Sequence, residues 1–267
     1  MRPPELHVED AGEGNPVVLL HGLTATHRYV VMGSRALERS GHRVIAYDAR
    51  GHGASAPAPD PAAYRYDELA ADLLRVLDDR GIDRAVLAGS SMGGHTALKV
   101  ALEHPGRVAG LVVITPAYDP ATHLGERSLA RWDELSDGLR DGGVEGFVSA
   151  YGEPAGDPAW RETLLTVLRQ RLAGHEHPKA VADALRAVPR SRPFERIDDL
   201  SAIDVPAIVV ADRDDADPGH LFAVGEAYAA TIPGSRLVVE DPGSSPIAWQ
   251  GGRVSALIAE LTSEALG

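Results

Sequence analysis

Gly89-Ser90-Ser91-Met92-Gly93 fits the pattern G-x-S-x-G and stands between an apolar run, "AVLAGS" (85–90), and a helix-forming stretch. A serine in that setting can attack a carbonyl carbon, provided a sharp strand-to-helix turn exposes its hydroxyl. The turn is strained and other backbone crowds it, so small neighbours are needed; Gly89, Gly93 and Gly94 supply them. The helix that follows aims its N-terminal N–H groups at the same place, which makes the Met92 amide the expected donor to a developing oxyanion. An ordinary glycine-rich turn is the competing reading, and the strand before and helix after Ser91 favour the nucleophile. A serine hydroxyl is a poor nucleophile until a neighbour accepts its proton, so the chain must also bring a base to Ser91.

The elements that would carry these groups alternate. "PVVLLHG" (16–22), "HRVIAYD" (42–48), "AVLAGS" (85–90), "VAGLVVITPA" (108–117), "VPAIVVAD" (205–212) and "SRLVVED" (235–241) are short β-rich runs. Several are continuously apolar, as strands covered on both faces are. Helical patterns separate them. One is read as capped by Asp67, carries Leu69, Leu73 and Leu77 on one face and stops at Gly81; others run over 93–104, 219–231 and 247–262. This rhythm predicts a mostly parallel sheet flanked by helices. Between Asp119 and Asp198 the strand signal disappears. Leu129, Trp132, Leu135 and Leu139 recur at helical spacing, and Asp157-Pro158 and His177-Pro178 look like helix starts. The expected organisation is therefore one α/β core, 1–118 and 199–267, with residues 119–198 inserted as a helical cap.

Composition narrows the function. The chain has 267 residues, 44% of them hydrophobic, enough for one large core. A formal charge of −13 disfavours nucleic acid and anionic membranes as partners. There is no cysteine, hence no disulfide framework and no thiolate chemistry. The start, "MRPPELHVEDAGEG", shows no signal-peptide core, and a cytoplasmic setting is expected. No Gly-rich phosphate loop and no His/Asp/Glu grouping at metal-ligand spacing is read; "HEH" (175–177) reads as a polar loop. No metal and no cofactor is expected, and the expected partner is a small molecule.

Taken together, His21-Gly22 after the first long strand, "YDARGHGAS" (47–55), the turn at Ser91 and "VVADRDD" resemble, in that order, the α/β-hydrolase superfamily. The nearest likeness is to its capped esterase, lactonase and C–C-bond hydrolase branch. The resemblance implies an α/β-hydrolase fold with an inserted helical cap. It implies a second oxyanion amide at Leu23, after Gly22, with His21, Asp48, Arg50 and His52 shaping loops rather than reacting. It also implies Asp214 as the acid that orients an imidazolium, favoured over Asp212 and Asp215.

The same resemblance exposes a gap. The family's catalytic histidine follows the last strand in a G-H-S-P-like context. Here that stretch reads Pro242-Gly243-Ser244-Ser245-Pro246, and the last histidine in the chain is His220. Ser244 thus occupies the base position, and a hydroxyl does not titrate near neutral pH as imidazole does. Four readings stay open. Serine replaces a natural histidine; another histidine serves, with His220 ahead of His95 and His123; the reaction is not a hydrolysis but an elimination, cyclisation or rearrangement; or the pocket only binds, as in plant gibberellin receptors, which resemble this fold and also lack the histidine. The expected substrate is a medium-sized, mainly apolar ester, lactone or related carbonyl compound. Trp132, Phe147, Tyr151, Trp160 and Phe194 are expected mostly to pack the cap, with one or two lining the pocket.

Overall fold

The computed structural model describes residues 3–154, 157–213 and 219–267. Among these, seven strands form one sheet: β1 (Val8–Ala11), β2 (Asn15–Leu20), β3 (His42–Tyr47), β4 (Ala85–Ser90), β5 (Val108–Ile114), β6 (Ala207–Val210) and β7 (Arg236–Val238). Their order is β1-β3-β2-β4-β5-β6-β7, and only β1 runs antiparallel. Helices α1 (Ala36–Arg39), α2 (Tyr66–Asp78) and α3 (Met92–Glu103) follow in the first half.

Alternation along the strands explains the two covered faces. Val18, Leu20, Ile45, Leu87, Leu111, Val113 and Val209 point to one side, where Leu73 and Leu77 of α2 and Leu98 of α3 pack. Val17, Leu19, Val44, Val86, Val112, Ile208 and Val210 point to the other. There they meet Leu37 of α1 and the later helix over Gly251–Leu266. β5 (VAGLVVI) and β6 (AIVV) carry no polar side chain at any position because neither face meets water.

Among the described residues no strand lies between β5 and β6. That interval carries α4 (Glu126–Tyr151), α5 (Arg161–Ala173) and α6 (Pro178–Ala187), and β6 is followed by α7 (Phe222–Thr231) and α8 (Gly251–Leu266). Gly143 breaks α4 with φ 60°, so the chain doubles back on itself. The two limbs lie so close that a Cβ on Gly146 would stand 2.1 Å from the Gly138 carbonyl oxygen. Leu135, Leu139, Phe147, Leu172, Val181 and Leu185 from these helices pack on Leu23, Ala49 and Met92, which lie just beyond β2, β3 and β4. The helical segment therefore covers the carboxyl ends of the central strands, where open α/β sheets bind ligands.

Three local expectations change. Asp67 does not cap α2: the helix starts at Tyr66, and the Asp67 carboxylate instead meets Lys99 Nζ at 2.9 Å. The antiparallel β1, with the polar sequence VEDA, carries no strand signal and forms by pairing with β3. The run 235–241 is a strand only over Arg236–Val238.

Candidate active site

Ser91 links β4 to α3 with φ 49° and ψ −114°, a conformation that an L-residue holds only when its surroundings impose it. Its N–H donates to the Ile114 carbonyl (2.9 Å) and its carbonyl accepts from the His95 N–H (2.9 Å). The glycines are required by contact. A Cβ at Gly89 would lie 2.4 Å from the Gly93 carbonyl carbon, and one at Gly93 would lie 2.2 Å from the Leu20 oxygen.

The loop after β2 comes to the same place: a Cβ on Gly22 would stand 3.6 Å from the Ser91 Cβ. Three histidines hold three consecutive carbonyls of this loop. His21 Nδ1–H donates to Gly22 O (2.8 Å), His52 Nε2–H to Leu23 O (2.6 Å) and His175 Nε2–H to Thr24 O (3.2 Å). His21 Nε2 in turn accepts from the Ala49 N–H, and His175 Nδ1 from the Gly53 N–H. Burial pushes the pKa of His21 down to about 3 and that of His175 down to about 4, so both work as neutral rings. In a trans peptide the N–H points opposite the C=O. Gripping the Gly22 carbonyl on one side therefore turns the Leu23 N–H to the other. Among the described residues, neither the Leu23 nor the Met92 amide donates to a protein acceptor.

Ser91 opens into a cavity of about 800 Å³ whose wall includes Gly22, Leu23, Trp132, Arg171 and Trp249. Trp132 of α4 is thus one aromatic of the helical segment that lines it; Trp160 meets Trp249 edge-on, with centroids 5.6 Å apart. Phe147 and Phe194 are buried in packing. Arg171 of α5 reaches down to Thr24, its Nη2 donating to Oγ1 at 2.9 Å.

Asp214 lies outside the described residues. Asp212 is fully buried and its Oδ1 accepts from the Ala248 N–H (3.2 Å). Ser244 is exposed on a turn closed by its own N–H to the Asp241 oxygen (3.0 Å), and it is not part of the cavity wall. His220 is part of that wall. His95 is not: its Nε2 accepts from the Ala117 and Tyr118 amides, its Nδ1 donates to the Tyr66 hydroxyl, and burial pushes its pKa down to about 3. Among the described residues no side chain hydrogen-bonds the Ser91 hydroxyl.

The family described as "alpha/beta hydrolase fold" matches residues 15–244. The chain is an α/β hydrolase. It is 32% identical over 216 residues to the candidate carbamate hydrolase RutD of Variovorax paradoxus (strain S110), spanning 80% of this chain and 79% of that one. Among solved structures, a thermophilic esterase from Thermogutta terrifontis superposes with TM-score 0.80 at 28% identity, covering 99% of this chain and 95% of the other. Est816, described as an N-acyl homoserine lactone degrading enzyme, gives TM-score 0.74 at 26% identity, covering 98% and 96%.

In this α/β hydrolase the stretch 47–55 is architecture. Arg50 donates to Asp72, Ala63 O and Glu68 O. Asp48 accepts from the His27 N–H, His27 Nδ1–H and the Ala54 N–H. Burial works against its charge, yet these donors hold its carboxyl far below the ordinary carboxylate range. Gly53 is obligatory beside it, since a Cβ there would fall 2.0 Å from Asp48 Oδ2. The contributions of Thr24, Arg171 and His175 to the site carry no local sequence signal, because each arises from a contact between distant segments.

Proposed function

We propose that this α/β hydrolase is a serine-hydrolase-type enzyme for a medium-sized, mainly apolar ester, lactone or related carbonyl compound. One observation carries the reading: Ser91 is held at positive φ at the foot of a cavity of about 800 Å³, beside the Leu23 and Met92 amides, neither of which has a protein acceptor among the described residues. Buried amides without acceptors are costly unless a ligand supplies one. In the proposed chemistry the Ser91 Oγ attacks the carbonyl carbon and gives up its proton, the carbonyl oxygen becomes an oxyanion between the two amides, the leaving alkoxide departs with that proton, and water then cleaves the acyl-Ser91 ester to release the acid and restore the serine. Asp214 is the proposed acid, and residues 119–198 act as the cap that excludes water.

The proton acceptor sets the rate. Ser244 cannot serve as base, and loss of a triad histidine costs on the order of a millionfold in kcat, with roughly a thousandfold over water surviving through the oxyanion amides. The chain as it stands is proposed to hydrolyse slowly. The test is turnover of a panel of p-nitrophenyl esters and lactones by the chain and by Ser91→Ala. Activity that Ser91→Ala abolishes supports the reading; no turnover, or turnover indifferent to Ser91→Ala, removes it.

A second reading draws on the Ser91 hydroxyl, which no described side chain hydrogen-bonds: the scaffold then serves a non-hydrolytic reaction or binds a small molecule. Tight binding without product, retained in Ser91→Ala, distinguishes it.

A further inference from the structure

At the edge of the same cavity three side chains converge that the proposed hydrolysis does not use; two of them, His7 and His27, line it. His7 and Glu9 flank Val8 on the extended N-terminal segment, so both project from one face of it. His27 starts the short helical turn His27–Tyr29. The nearest ligand-type atoms of these three residues all lie within 4.8 Å of one another. The His7 and His27 rings stand 5.3 Å apart, and both line the cavity.

The hydrogen bonding of His27 is the telling feature. Its Nδ1–H is committed to Asp48 Oδ1 at 2.9 Å, and the same oxygen accepts the His27 backbone N–H at 2.8 Å. That leaves Nε2 as the ring nitrogen beside Glu9. Nε2 is buried, makes no hydrogen bond of good geometry, and stands 3.3 Å from Glu9 Oε1. A shared proton bridges two atoms at this separation, and so does a metal ion. A tetrahedral Zn²⁺ with bonds of about 2.0–2.1 Å has ligand–ligand edges of about 3.3–3.4 Å, which matches. Metal-bound histidines almost always give their other N–H to a carboxylate that fixes the ring, as Asp48 does here.

We propose that His7, Glu9 and His27 form a binding site for a divalent first-row metal ion, with Asp48 orienting His27 and a fourth position open to the cavity. Two imidazole nitrogens and one carboxylate oxygen suit Zn²⁺ or its neighbours and not Ca²⁺ or Mg²⁺, which take oxygen sets. A proton shared between Nε2 and Glu9 accounts for that one contact but not for the convergence of His7. The inference is independent of whether Ser91 acts as a nucleophile.

The experiment is calorimetric titration of Zn²⁺ into the chelator-stripped full chain, with Glu9→Gln, His27→Asn and His7→Ala beside it. Glu9 is largely exposed, so Glu9→Gln leaves the fold intact even if His27→Asn does not. One ion per chain is expected, and each substitution weakens binding by roughly a hundredfold or more. Co²⁺ bound in place of Zn²⁺ shows visible bands of four-coordinate intensity, which disappear in Glu9→Gln. Zn²⁺ binding no tighter than about millimolar, or binding that Glu9→Gln and His7→Ala leave unchanged, overturns the proposal and reduces the cluster to a proton-held ion pair.

Discussion

His175 Nε2 lies 3.2 Å from the carbonyl oxygen of Thr24, so a residue from the helical segment between β5 and β6 grips the loop that follows β2. Its Nδ1 accepts the Gly53 N–H at 2.8 Å, which ties a third loop to the same ring. His175→Asn breaks at least one of these bonds and is expected to cost about 1–3 kcal/mol of stability. The pH dependence follows from its pKa, pushed down by burial, with His52 adding to the effect, to about 4. Unfolded histidine titrates near 6.5. Above that pH the ring is neutral in both states and nothing is lost. As pH falls from about 6.5 towards 4 the unfolded chain takes the proton first, and stability drops by roughly 3 kcal/mol on this account alone. Urea unfolding at pH 7.5 and 4.5 checks it: the loss should be smaller in His175→Asn by roughly 2–3 kcal/mol. Equal pH slopes would remove the assignment.

Gly93→Ala tests the turn at Ser91. The new methyl would sit 2.2 Å from the Leu20 carbonyl oxygen, and backbone cannot swing aside as a side chain can. The expected cost is on the order of 3 kcal/mol or more, with loss of any Ser91-dependent turnover. A thermal melt and an ester assay on the same sample measure both. Retained stability would mean that β2 and α3 do not approach as described.

Ser244→His tests whether the rest of the machinery is intact. Imidazole at that position, with Ser91 and Asp214 as its partners, is expected to raise ester hydrolysis by roughly a thousandfold or more. Adding Ser91→Ala should remove the gain. The turn at Asp241–Ser244 leaves the present serine exposed, so the histidine must fold inward, and a structure of the variant shows whether it does. A correctly placed ring that hydrolyses nothing would favour the non-hydrolytic or binding reading.

His220→Ala probes the remaining candidate base. His220 lines the cavity that Ser91 opens into. If His220 accepts the Ser91 proton, turnover of the unaltered chain falls by about a hundredfold in the variant, the usual contribution of a positioned base. Unchanged steady-state rates would leave His220 as wall only.

The chain by itself determined what depends on neighbours in sequence. Continuous apolar runs predict strands covered on both faces; Gly81, at φ 61°, ends the run of α2 as read. The G-x-S-x-G turn is legible for the same reason: its strain, glycines and helix start lie within a few residues. Tertiary structure decided the rest. The polar β1 exists only because β3 offers it a partner, and Asp67 left its capping role for Lys99. His21, His52 and His175 hold Gly22, Leu23 and Thr24 from three separate segments. His7, Glu9 and His27 meet although no spacing announces them. Backbone preference is local and each residue type reports it. A contact between distant segments depends on how the packed sheet and helices bring them together, and the identity of one residue carries no record of which other residue it will meet.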